Sequence, residues 1–175
     1  MSKIDKLEGQ QCPACMKKTL TLIEEETEIP YFGKTFIFSM SCSNCDYHKA
    51  DIEAAEHKEP VKFSLDITTK EDLNARIIKS SEATIKIPYI STIEPGPASE
   101  GYVSNVEGVL NRIKEQIQKV YDSEEDKDKK KTAYKLIKKV NKILWGSEKG
   151  KIIIQDPTGN SAIISEKAVK AKLKK

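Results

Sequence analysis

The chain has 175 residues, with 30 Lys plus Arg against 27 Asp plus Glu and a formal net charge of +3. That balance is too weak to argue for nucleic acid by itself, and no apolar run approaches the ~20 residues that a membrane helix needs. With 38% apolar and 33% charged residues, the length allows one ordinary domain or two small ones, a modest core under a heavily charged surface.

Met1 to Lys6 is polar and lacks the apolar segment of a secretory leader. A cytoplasmic protein without a membrane anchor is expected, and residues 1–10 read as a mobile lead-in. The only cysteines follow as two C-x2-C pairs, Cys12-Pro13-Ala14-Cys15 and Cys42-Ser43-Asn44-Cys45, separated by 26 residues. A C-x2-C turn presents two thiolates to one ion, and two such turns close a tetrahedral site. Cys12, Cys15, Cys42 and Cys45 are therefore the candidate ligands of one zinc ion. Four thiolates leave no open position for water or substrate, which makes the ion structural. Two disulfides or four free thiols are the alternatives, and disulfides belong to oxidising compartments. His48 could stand in for a cysteine, but four are present already. His57 sits in the polar stretch 54–59 and reads as a solvated loop residue.

Thr19 to Ile23 is rich in β-formers and leaves the first cysteine pair as a strand. Ile29-Pro30-Tyr31-Phe32-Gly33 carries the punctuation of a bend. Lys34 to Met40 alternates large apolar with smaller or polar residues, the period of a half-buried strand, and delivers the second pair. Residues 10–50 thus form a zinc ribbon with a long hairpin.

A second region starts at Val61. Val61, Phe63, Leu65 and Ile67 alternate with Lys62, Ser64 and Asp66. Thr69 to Asp72 is a break, and 73–79 a turn or short strand. Ala83 to Ile87 is another alternating strand, stopped by Pro88. Pro95, Gly96, Pro97 and Gly101 mark a loop. Ser104-Asn105-Val106-Glu107 has the form of a capping box with Ser104 as cap. Apolar residues from Val106 to Tyr121 then recur at helical steps, with Gly108 costing about 1 kcal/mol against alanine. After the charged run 122–131 a second amphipathic helix reaches Trp145, with Ala133, Leu136, Ile137, Val140, Ile143 and Leu144 on one side, and Gly146 stops it. The two helices read as an antiparallel hairpin. Runs 151–155 and 161–165 flank the turn Asp156–Asn160 and should pair as a β-hairpin, and 166–175 is a basic tail or frayed helix. The β segments on either side of the helices are too few to bury a core separately. The fold class is therefore mainly β with an α insertion: a ribbon at 10–50, a β domain from 51–103 and 146–175, and a helical hairpin at 104–145.

These blocks together resemble the ZPR-type zinc-finger proteins (the Zpr-one family). The matching residues are Cys12-Pro13-x-Cys15, Ile29-Pro30-Tyr31-Phe32, Phe38 to Tyr47 around the second pair, Asp72-Leu73-Asn74, Ile77-Ile78-Lys79-Ser80, Ile85-x-Ile87-Pro88, Val106-Glu107-Gly108-Val109-Leu110 and Asp156-Pro157-Thr158-Gly159-Asn160-Ser161. The resemblance covers about 10–165 in the family's order. It implies a zinc ribbon followed by a double-stranded β-helix domain carrying a helical hairpin, in the single-copy, archaeal-like form. Asp46 stands where the family usually has glycine. Ala75 displaces the arginine of its D-L-N-R run to Arg76, and Ser104-Asn105 replaces a threonine pair.

The resemblance also implies a partner, translation elongation factor 1-alpha or its archaeal counterpart, whose folding or maturation the protein would assist. Tyr31, Phe32 and Phe36 near the ribbon hairpin are candidate contacts, since aromatic anchors dominate interface energetics. They would serve equally well packing the ribbon or its junction with the β domain. Nucleic-acid binding is the alternative, with charge from Lys129 to Lys131, Lys138-Lys139 and the tail from Lys167. An enzyme is not expected. The oxygenases built on such β domains need two His and a carboxylate, and His48 already falls in the ribbon.

Overall fold

The computed structural model describes residues 3–29, 33–54, 58–96 and 99–173. Its first unit is an antiparallel sheet in the order β1 (Lys3–Gln10), β2 (Leu20–Ile29), β3 (Gly33–Cys42) and β4 (His48–Ala54). The β2–β3 pair is the long hairpin read from the alternation, in register from Leu20 opposite Cys42 to Ile29 opposite Gly33. Two strands were not legible. Residues 3–10 are no mobile lead-in: they form an edge strand, with Ile4 opposite Glu25 and Leu7 opposite Leu22. Their weak alternation is overridden by an available ladder on β2. The same holds for β4, which continues the sheet along β3.

The second unit has two antiparallel sheets. The larger has the order β12 (Val169–Lys172), β5 (Val61–Ile67), β10 (Gly150–Asp156), β7 (Thr84–Ile87) and β8 (Ser91–Ile93). The smaller has the order β11 (Ala162–Ile164), β6 (Arg76–Lys79) and β9 (Tyr102–Asn105). One core joins Leu65, Ile85 and Ile152 of the first with Ile77 and Ile163 of the second, a double-sheet jelly roll. A 3-10 turn over Lys70–Asn74 precedes β6.

Helices α1 (Val106–Ser123) and α2 (Lys127–Leu144) form the expected hairpin. Its inner half belongs to the jelly-roll core: Val106, Val109, Leu110 and Ile113 from α1, Val140 and Ile143 from α2. Its outer half does not, and Val120 is 55% exposed. The cap of α1 is Asn105 rather than Ser104, its side-chain oxygen accepting from the Gly108 amide at 2.8 Å. Gly108 belongs to that arrangement, because a Cβ there would come within 2.3 Å of Ser104 Oγ.

The expected pairing of 151–155 with 161–165 does not occur. Both edges of β10 are taken, by β5 and β7, while β11 crosses to the other sheet and pairs with β6. The corner between them is built on Asp156, which is fully buried. One carboxylate oxygen accepts from Thr158 N at 2.8 Å and Thr158 Oγ1 at 2.7 Å. The other accepts from Ser161 Oγ at 2.6 Å, Ser80 Oγ at 2.8 Å and Asn160 N at 3.0 Å. Burial alone would raise its pKa; the donors Ser161, Thr158 and Ser80 outweigh that and hold it below the usual carboxylate range. Gly159, at φ 72°, passes so close to Glu59 that a Cβ would lie 2.3 Å from its carbonyl oxygen. The tail is a strand, not a helix: β12 pairs with β5, and Lys167 reaches back to Asp72 at 2.7 Å.

The two units meet where β4 passes the loop before β9. Asp51 accepts from the Gly101 amide at 2.7 Å, a Cβ on Gly101 would strike the Ile52 carbonyl oxygen at 2.4 Å, and Lys49 pairs with Glu100 at 3.1 Å. Beneath this loop Lys79 is 2% exposed, its ammonium donating to Ser80 O at 2.8 Å and Ser99 Oγ at 3.3 Å, and burial lowers its pKa.

Candidate metal centre

Cys12 and Cys42 each open a tight turn of the same build. The Cys12 amide donates to Lys17 O at 2.8 Å, and the Cys42 amide to Tyr47 O at 2.9 Å. The residue after the second cysteine of each pair is left-handed: Met16 at φ 62° and Asp46 at φ 54°. That conformation is where glycine is cheapest, which gives a physical reason for the glycine that the resemblance leads one to expect at Asp46. Aspartate tolerates it better than methionine does. The β2–β3 ladder sets Leu20 opposite Cys42 and so brings the two turns together. Lys17 Nζ then bridges them to Asn44 Oδ1 at 2.9 Å.

All four Sγ atoms lie within 4.8 Å of one another. Cys12 to Cys45 and Cys15 to Cys42 are each 3.7 Å apart. A tetrahedron with metal–sulfur bonds of ~2.3 Å has edges of about 3.8 Å, so the set fits one zinc ion. Sulfurs this far apart are not disulfide-bonded. Cys12 and Cys42 are buried with Leu20, and Leu22, Met40 and Tyr47 pack around them. Thr19 Oγ1 lies 3.2 Å from Cys42 Sγ and the Asn44 amide 3.4 Å. The Thr19 hydroxyl, ahead of the Asn44 amide, brings the Cys42 thiol down to about 6. At Cys45 the Tyr47 amide also pulls downward, but burial and the other three sulfurs push the thiol up to about 12. One thiolate is favoured and a crowd of four is not, which a divalent cation relieves. His48 takes no part: its Nδ1 lies 3.1 Å from Ser41 Oγ.

Among the proposed contacts, Phe36 lies on β3, half-buried, its ring 6.4 Å from that of Phe38. Tyr31, Phe32 and His57 lie outside the described residues. Phe38 and Met40 share the sheet face of Phe36, and the carboxylates of β2 and β4 stand beside them. Both the alternation in 34–40 and the acidic run 24–28 were visible in the sequence, but not the register that sets them side by side.

Residues 3–60 match the model of the ZPR1 zinc-finger domain, and residues 71–175 that of the ZPR1 jelly-roll domain. The chain belongs to the ZPR1 family. It is 39% identical to a ZPR1-like protein of Methanocaldococcus jannaschii, over 93% of this chain and 83% of the relative. It is 36% identical to a ZPR1-like protein of Pyrococcus horikoshii, over 99% of this chain and 80% of the relative. The zinc finger chaperone zpr1 of Schizosaccharomyces pombe is 33% identical over 87% of this chain, which spans 33% of that longer protein. The ZPR1 zinc-finger match begins at Lys3, the first residue of the edge strand β1. Of the two other departures from the ZPR1 pattern, Ala75 caps the 3-10 turn and accepts from the Val106 amide at 3.0 Å. The displaced Arg76 is exposed, opposite Asn105 on β9.

Proposed function

We propose that this protein is a zinc-stabilised binding module of the chaperone type, acting in the cytoplasm on the archaeal counterpart of translation elongation factor 1-alpha and assisting its folding or maturation. The observation that carries this reading is the match along nearly the whole chain to a family with a zinc finger chaperone among its members. The metal centre supports binding rather than catalysis, because four thiolates leave no coordination position for a substrate. Its role is to hold the ribbon rigid beside the jelly roll. Cys12, Cys15, Cys42 and Cys45 carry that role; Phe36, with Tyr31 and Phe32, contributes aromatic contacts to the partner. Among the described residues, no helix is long and apolar enough to cross a membrane. Nucleic acid is the weaker reading, since residues 3–54 hold nine carboxylates against six lysines, a sign that repels phosphate.

The test is a calorimetric titration of purified archaeal elongation factor 1-alpha with the zinc-loaded protein, in the GDP, GTP and nucleotide-free states. Binding is expected in at least one state and is lost after metal removal. Silence in all three at about 30 μM, where a complex worth ~7 kcal/mol would register, refutes the partner.

A further inference from the structure

The acidity of residues 3–54 is concentrated on one face of the ribbon sheet. Cross-strand register sets Glu24 and Glu26 of β2 beside Phe38 and Phe36 of β3, and these beside Asp51 and Glu53 of β4. An apolar strip therefore runs along the middle strand with a row of carboxylates on either side. Adjacent strands lie ~4.8 Å apart, so the two acidic rows are about 10 Å from each other. Met40, Leu22 and Leu7 continue the strip toward the metal centre. Among the described residues no element lies over it: Leu7 is 60% exposed, the two phenylalanines and Met40 are only half-buried, and a groove of about 460 Å3 runs between Leu7, Leu22, Phe38 and Met40. Glu26 is engaged by Lys34 at 2.8 Å, and Asp51 by the Gly101 amide. Glu24 and Glu53 are exposed and form no ion pair among the described residues.

We propose that this face docks an extended polypeptide segment in which lysine or arginine alternates with apolar side chains. Charge complementarity selects the occupant. Alternate side chains of an extended segment project to one side, so its apolar groups meet the phenylalanine strip, and the intervening cations, which start on the far side, curl their long stems outward to the carboxylate rows. Opposed fields of this kind steer encounter and fix register. The remaining residues of the chain carry 24 Lys plus Arg against 18 Asp plus Glu, so the ribbon is the acidic part of a basic protein. The inference rests on reading the chain as a protein-binding module, but not on which protein it binds.

The probe is a fluorescent peptide of about ten residues alternating lysine and leucine, long enough at ~3.3 Å per residue to span β3, with its glutamate–leucine counterpart as control. Zinc-loaded wild type is compared with E24K/E53K and with the milder E24Q/E53Q, each checked for retained zinc. Binding of the basic peptide is expected to fall about tenfold in E24K/E53K, less in E24Q/E53Q, and to weaken with salt. Amide shifts on titration should fall on β2, β3 and β4. Equal binding by wild type and both variants overturns the proposal, as do shifts confined to α1 and α2, or preference for the acidic peptide. A dimer in sedimentation velocity that E24K/E53K dissolves also overturns it, giving the face to a second copy of the chain. Elongation factor 1-alpha separates this inference from the function proposed above. If the factor binds wild type and variant alike while the basic peptide does not distinguish them, the face is refuted and that function stands. If the peptide docks while the factor binds neither protein, the face stands and that partner is refuted.

Discussion

The ribbon and the jelly roll are both antiparallel β structures, but they are held together by different physics. In the jelly roll, sixteen buried apolar residues from both sheets and both helices form one core. In the ribbon the buried apolar cluster is Cys12, Leu20 and Cys42, and two of those three are metal ligands. A single sheet with no layer over it cannot bury enough surface to offset its conformational entropy. Metal binding supplies the difference, at roughly 10–16 kcal/mol of apparent free energy in small zinc domains. Chelation under reducing conditions is therefore the largest perturbation available. It should abolish amide protection along β2 and β3 while leaving that of β5, β7 and β10 in place. Persistent protection of the ribbon strands in metal-free protein would show that their ladder stands by itself.

The converse perturbation strikes the jelly roll alone. Asp156 accepts five hydrogen bonds at a corner where the chain changes sheets. In Asp156→Asn one acceptor becomes an amide donor facing buried hydroxyls and amides, at a cost of about 3 kcal/mol. The urea midpoint followed by far-UV circular dichroism should fall accordingly, while zinc affinity in a chelator competition stays unchanged. A matching loss of zinc affinity would mean that the two units fold as one.

The same contrast governs what could be read from the residues. The metal centre was legible in full, because four thiolates in two C-x2-C turns leave little choice of partner. So were β5, α1 and α2, where apolar period and burial coincide. The jelly roll's pairing was not. Strands 150–156 and 162–164 look like a hairpin locally, and only the occupied edges of β10 prevent it. β1, β4 and β12 escaped notice because they lie against the edges of other strands, where a ladder is offered to almost any sequence. Asp156 and Asp72 read as turn residues; that their carboxylates hold the turns requires knowing that Ser80 and Lys167 come from elsewhere in the chain.

Asp72 offers a smaller effect with a definite pH dependence. Lys167 bonds to one of its oxygens, and, against the opposing effect of burial, the Thr68 and Thr69 amides bond to the other; together they hold it below the usual carboxylate range. Because the folded pKa lies below the unfolded value of ~3.9, its contribution is complete above about pH 4 and is lost as pH falls through the folded value. With Lys167 54% exposed, solvent screening limits that contribution to about 1–2 kcal/mol. Asp72→Asn should lower stability at neutral pH by that amount and flatten the acid side of the stability profile. A profile as steep as the wild type's would assign the acid sensitivity to other carboxylates.

The smallest effect returns to the ribbon and runs in the stabilising direction. Met16 and Asp46 occupy equivalent left-handed positions in the two cysteine turns, and a non-glycine residue there costs roughly 1–2 kcal/mol, less for aspartate. Met16 is 64% exposed, so replacing it removes little packing. Part of the gain from glycine is returned because glycine also widens the unfolded ensemble. Met16→Gly should therefore tighten zinc binding by about threefold to fivefold, equivalent to ~0.6–1 kcal/mol, and Asp46→Gly by less. Both are measurable by competition with a chromophoric chelator, and neither should move the urea midpoint of the jelly roll. If Asp46→Gly gains more than Met16→Gly, backbone strain does not set the order, and the charge of Asp46 beside the thiolates becomes the explanation to test with Asp46→Asn.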